Sequence, residues 1–171
     1  MELLFELYSV YLEEKKADAE SFDEFIKWGQ ILLNDFNEID SYLADTKALF
    51  TNLSNVKEIE NWSLSHENLT EFQQQYVLFW DMFGTLYNNL TEKLRKEKKA
   101  YDGLASRIAC ESLEIIQKEL KWEKIIFTGF NALTKAEKKI ISLLVQSGKA
   151  ETLWDADEYY VNNELMEAGK F

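Results

Sequence analysis

Not one proline occurs in the 171 residues of this chain, and glycine occurs only six times, so the two residues that most often interrupt a helix are nearly missing. Long helices are therefore expected, and apolar spacing locates them. After Ser21-Phe-Asp-Glu24, a capping box, Phe22, Phe25, Gly29, Leu32, Phe36, Ile39 and Leu43 recur in steps of three and four. This stripe predicts a helix of about six turns, broken near Asn37. Leu4, Leu7 and Tyr11 mark a shorter amphipathic helix before it, and the charged residues from Glu13 to Glu20 connect the two. Thr70 with Gln73 opens a longer helix whose seam is Phe72, Tyr76, Phe79, Phe83, Leu86 and Leu90. Past an expected break at Asp102-Gly103, the helix from Tyr101 to Leu120 carries Ala109, Leu113, Ile116 and Leu120 on one face. Between these, Leu49, Phe50 and Leu53 suit a short helix, and the polar residues around Trp62 a loop.

At Trp122 the pattern changes. Lys124-Ile-Ile-Phe-Thr-Gly-Phe130 is a short β-rich run, Thr134-Lys-Ala-Glu137 starts a helix through Ile140, Ile141, Leu144 and Val145 that stops at Gly148, and Glu151-Thr-Leu-Trp-Asp155 is a second strand. Strand, helix and strand at this spacing form a βαβ unit with parallel strands and a right-handed crossover. A parallel sheet needs both faces covered and usually more strands, yet the preceding 120 or so residues supply none. The fold class is thus mainly α, a helical bundle over 1–121 followed over 122–171 by a βαβ unit belonging to a larger parallel sheet. Gly169-Lys170-Phe171 is accordingly read as an internal cut through a longer protein.

Thirty-one acidic residues against 19 basic ones leave a net charge of -12, which repels phosphate backbones over most of the surface and confines any DNA contact to a local patch. Aromatic residues make up 14% of the chain, enough ring area for an ordered core. The first residues, MELLFELYSVYLEE, lack the positive start of a signal peptide, and no apolar run approaches the ~20 residues of a membrane helix, so a cytoplasmic location is expected. Cys110 is the sole cysteine and reads as a buried, reduced thiol. Three Asn-Leu-Ser/Thr tripeptides begin at Asn52, Asn68 and Asn89; they match the glycosylation acceptor pattern by chance, since Asn89 falls inside a helix.

Neither a GxxxxGK[ST] phosphate loop nor a GxGxxG turn occurs, so no nucleotide or other cofactor site is expected within these residues. His66, the one histidine, lies in a polar stretch with no nucleophile motif beside it and reads as a surface or capping residue. Asp155, Asp157 and Glu158, just beyond the second strand, could offer oxygen ligands to a metal or simply form a solvated acidic loop. Asp35, Glu38 and Asp40 form a second acidic group, and Asp40 lies one turn after Phe36, beside the apolar stripe, where it would be partly buried and hydrogen-bonded to a neighbouring helix. The one basic concentration is Lys93, Arg95, Lys96, Lys98 and Lys99, offset by Glu92 and Glu97, with Lys118, Lys121 and Lys124 later. It suits a few DNA phosphate contacts or a solvated helix end.

Three stretches together, Phe22 to Asp40, Phe127-Thr-Gly-Phe-Asn-Ala-Leu-Thr-Lys-Ala-Glu137 and Trp154-Asp-Ala-Asp-Glu-Tyr-Tyr160, resemble the helicase-like part of bacterial PD-(D/E)XK nuclease family proteins, akin to the B subunit of AddAB-type recombination helicase-nucleases. The resemblance implies a helicase-like region ahead of a nuclease domain in an assembly that processes double-strand breaks. Residues 1–121 would match the helical subdomain inserted in the first motor domain, and the βαβ unit would return to that motor's sheet. In active helicases of this type the returning strand ends in an acidic pair that holds magnesium; here Gly129 and Phe130 stand in its place, and neither can ligate a cation. Met166 stands where the family tends to carry a histidine before Glu-Ala-Gly. The nuclease's own acids would lie far downstream, so no catalytic residue is carried over. The implied partners are the remainder of the nuclease chain, an AddA-like subunit, and DNA through the basic stretch. The rival reading is a free-standing helical module that binds protein partners.

Overall fold

A computed structural model describes residues 1–53, 71–130 and 132–154, with the side chains of Ala17 and of 71–81 left aside. The chain is mainly helical with one small parallel sheet. In order it forms α1 (Glu2–Lys15), a 3-10 turn (Lys16–Asp18), α2 (Phe22–Ser41), helical backbone over 46–53 (α3), α4 (Glu71–Glu97), α5 (Asp102–Glu111), α6 (Leu113–Glu119), β1 (Ile125–Thr128), α7 (Lys135–Gln146) and β2 (Ala150–Leu153). It divides into two compact units, Met1–Asp40 with Ala44–Leu104, and Ser41–Leu43 with Ala105–Phe171.

In the first unit the expected stripes are the buried ones. Leu4, Leu7, Val10 and Tyr11 of α1 and Phe25, Leu32, Leu33 and Phe36 of α2 are buried. Phe25 is central: its ring lies 5.0 Å from those of Tyr8 and Tyr11 and 4.6 Å from that of Trp28. On α4, Leu86, Leu90 and Leu94 are fully buried one turn apart. Thr70, His66 and the loop expected around Trp62 fall outside the described residues, as do the side chains of Phe72, Tyr76 and Phe79.

Two expected breaks are placed differently. Helix α2 runs unbroken through Asn37, whose Oδ1 accepts the Gly103 N–H at 2.7 Å. Asp102-Gly103 is therefore the first turn of α5, and the Asn37 side chain satisfies one of the N–H groups that a helix start leaves without an intrahelical acceptor. The span from Tyr101 to Leu120 is two helices rather than one, parted at Ser112 (φ -106°, ψ 12°).

Helix ends follow a common device. Leu43 and Lys98 adopt left-handed φ angles of 51° and 56°, as Gly148 does at 73°. In each case the next N–H reaches five residues back: Ala44 to the Ile39 carbonyl at 3.0 Å, Lys99 to Leu94 at 2.9 Å, Lys149 to Leu144 at 3.0 Å. These are Schellman caps, two of them built on residues other than glycine.

In the second unit β1 and β2 pair in parallel, Ile125 opposite Ala150 through Thr128 opposite Leu153. Both bonds of the Thr134–Glu137 capping box that starts α7 are present. Burial alternates along both strands. Ile125, Phe127, Ala150 and Thr152 are covered, whereas Ile126 and Leu153 remain 58% and 56% exposed. Cys110 of α5 donates to the Ala136 carbonyl of α7 at 3.4 Å, which fastens the C-terminal end of α5 to the βαβ unit.

Candidate functional site

The basic stretch occupies the C-terminal end of α4 and its cap, and the fold treats its five cations unequally. Lys93 and Lys99 point at α1. Lys93 Nζ lies 2.7 Å from Glu6 Oε2 and donates to Ser9 Oγ at 2.6 Å. Lys99 Nζ lies 3.0 Å from carboxylate oxygens of both Glu2 and Glu6, and 2.9 Å from Glu97. These contacts hold the Glu6 carboxyl below the usual carboxylate range, the hydrogen bond from Lys93 first and that from Lys99 second, and they raise the Lys99 ammonium. One helical turn separates Lys96 from Glu92, and the two pair at 2.7 Å on the surface. Arg95, Lys96 and Lys98 are exposed.

Along the chain only Glu92 and Glu97 offset the five cations. In the fold Glu2 and Glu6 join them, so that Lys93, Lys96 and Lys99 each face a carboxylate. Asn89 inside α4 adds a further tie, donating to Glu14 Oε1 at 2.7 Å. The nearest α1 residues sit some 80 to 100 positions away in sequence, and no linear pattern announces the pairing.

The second candidate is the end of β1. Gly129 follows the strand at φ 80°, a conformation that a side chain disfavours, and a Cβ there would meet nothing within 4 Å. The backbone turn, rather than a lack of space, is what suits glycine. Phe130 lies against Trp154, which follows β2, with ring centroids 4.6 Å apart. The place where the resemblance expects a cation-binding pair thus holds a glycine turn and an aromatic contact. Lys124, before β1, pairs with Glu151 of β2 across the same unit, and Lys118 and Lys121 are exposed.

Asp155, Asp157 and Glu158 lie outside the described residues. Among the described residues no group of three or more His, Cys, Asp or Glu side chains is placed to hold a metal ion. Burial pushes the Cys110 thiol up, which lowers the thiolate fraction that nucleophilic chemistry needs. Of the Asp35, Glu38 and Asp40 group, the first two are exposed, and partial desolvation, then the nearby Glu38 charge, raise Asp35. Asp40 is fully buried, with Oδ1 accepting from the Tyr87 hydroxyl and Oδ2 from the Tyr101 hydroxyl, each at 2.5 Å. Its position beside the stripe pointed to such a bond; the tyrosines, 47 and 61 residues away, could not be named in advance.

Among the described residues no helix is long and apolar enough to cross a membrane. No family model matches the chain, and neither a curated protein nor a solved structure matches it.

Proposed function

We propose that this chain is the helicase-like region of a DNA double-strand-break repair nuclease of the PD-(D/E)XK type, serving as a non-catalytic scaffold and as a DNA-guiding surface. Support comes first from the strand end: β1 of a parallel βαβ unit stops at Gly129-Phe130, and Phe130 lies against Trp154. A ring in an aromatic contact and a glycine offer no side-chain carboxylate to the magnesium of a nucleotide. The exposed Arg95, Lys96 and Lys98 supply the cations for phosphate contact.

Fluorescence anisotropy with a labelled forked duplex, over a range of potassium chloride concentrations, tests the DNA part. Weak binding that falls with salt and is lost in R95Q/K96Q/K98Q is the expected result. Binding that this triple variant leaves untouched would remove the guiding surface. ATP hydrolysis that co-purifies with the chain and responds to substitutions within it would overturn the non-catalytic reading.

The uncovered sheet face, with Ile126 and Leu153 both more than half exposed, also favours a free-standing module that binds a protein partner. A reading frame that continues beyond Phe171 into a PD-(D/E)XK motif separates the two readings in favour of the first.

A further inference from the structure

From the ion pairs between α1 and α4 we infer an autoinhibitory contact: Glu2 and Glu6 hold Lys93 and Lys99 in the role that DNA phosphates would otherwise take. This rests on the reading of the α4 end as a DNA contact. A carboxylate and a phosphate present the same chemistry to an ammonium group, anionic oxygens that accept charge-assisted hydrogen bonds. Glu6 bridges both lysines, at 2.7 Å and 3.0 Å, and Lys99 has two further acceptors, Glu2 at 3.0 Å and Glu97 of its own stretch at 2.9 Å. Both lysines are half-buried by these contacts, whereas Arg95, Lys96 and Lys98 on the same stretch are exposed.

The carboxylates are delivered by a helix that cannot drift away from them. Leu4, Leu7, Val10 and Tyr11 anchor α1 in the core, and Asn89 clamps Glu14 at its far end. The masking is therefore electrostatic and works through side chains, with the helix staying in place. It is also incomplete, since the ion pairs lie at the surface, where each is individually weak and screened by salt.

The experiment is the same anisotropy titration on the full 171-residue chain, comparing wild type with E2Q/E6Q and with K93Q/K99Q, and with thermal melting as the check on folding. E2Q/E6Q is expected to bind the forked duplex on the order of tenfold more tightly at low salt and to steepen the log–log salt slope by roughly 0.9, the release expected for one further phosphate at Lys93, because Glu97 still pairs with Lys99. K93Q/K99Q is expected to lose less affinity than R95Q/K96Q/K98Q, because its lysines are largely occupied by carboxylates. E2Q alone, at a side chain 73% exposed and safe for the fold, shifts binding in the same direction by less.

Equal affinity in wild type and E2Q/E6Q overturns the autoinhibition and leaves the DNA contact standing. A loss in K93Q/K99Q as large as that in R95Q/K96Q/K98Q also overturns it, because the lysines would then already touch phosphate. No binding by any form, E2Q/E6Q included, overturns the DNA contact itself and the masking with it.

Discussion

At the scale of single residues, Asp40 joins α2 to α4 and to the residue before α5. It is fully buried, and both of its oxygens are used by tyrosine hydroxyls, from the middle of α4 and from the residue before α5. One carboxyl thus ties three helical segments. Removing it strands buried phenol hydroxyls, and each buried donor without an acceptor costs about 1–3 kcal/mol. D40A is expected to lose about 3 kcal/mol in urea denaturation, with Y87F and Y101F each losing less. A D40A loss below about 1 kcal/mol would show that the bonds only fill space. Glu6 makes a pH-dependent prediction. Its carboxyl is held low when folded, so the stability it contributes is whole above the ordinary glutamate value and disappears as pH falls through the lower folded one. The difference in urea midpoint between wild type and E6Q should therefore be largest near neutrality and close on acidification. A difference that grew in acid would contradict the ion-pair geometry.

At the scale of elements, the helices were legible and their ends were less so. Repeats of three and four predicted most of the buried residues of α1 and α2, and Ile141 and Leu144 of α7, whereas Val145 is 40% exposed and the buried Ala136 lies outside the expected stripe. The stops are harder to read in a chain without proline. Leu43 and Lys98 take the left-handed cap position that glycine usually fills, and nothing in a leucine or a lysine signals it. The break at Ser112 carries no breaker residue either. One glycine was read as part of a stripe for a reason now visible. Within α2, a Cβ on Gly29 would come 2.8 Å and 2.9 Å from Cζ and Cδ1 of Phe25. Alanine is favoured over glycine in a helix by about 1 kcal/mol, but forcing a methyl against a packed ring costs about 1–3 kcal/mol. Because Phe25 is fully buried among Tyr8, Tyr11 and Trp28 it has little room to yield. G29A should therefore lower the thermal midpoint, and F25L/G29A should recover part of the loss. A stabilised G29A would mean that the ring moves freely.

At the scale of the whole molecule, charge and apolar exposure have separate origins. A net charge of -12 disfavours phosphate binding everywhere except where cations gather, and at the basic end of α4 two of the five cations are paired with carboxylates of α1. Among the described residues the sheet is a pair of parallel strands whose Ile126 and Leu153 side chains are more than half exposed, whereas parallel sheets usually have both faces covered. Because Ile126 and Leu153 are more than half exposed, I126S/L153S is expected to change stability by less than about 0.5 kcal/mol while reducing binding of a hydrophobic dye. A large loss of stability would show that the face is covered in solution. Local sequence determined the elements that rest on local causes: helices from periodicity without breakers, the α7 start from Thr134 and Glu137, and the strands from their β-rich residues, although β1 stops at Thr128, before the Gly129 and Phe130 that the run included. Tertiary structure alone decided the partners. Asp40 with Tyr87 and Tyr101, Asn37 with Gly103, and Lys93 and Lys99 with Glu2 and Glu6 all join residues more than 45 positions apart, where the meeting depends on how helices cross and not on any spacing along the chain.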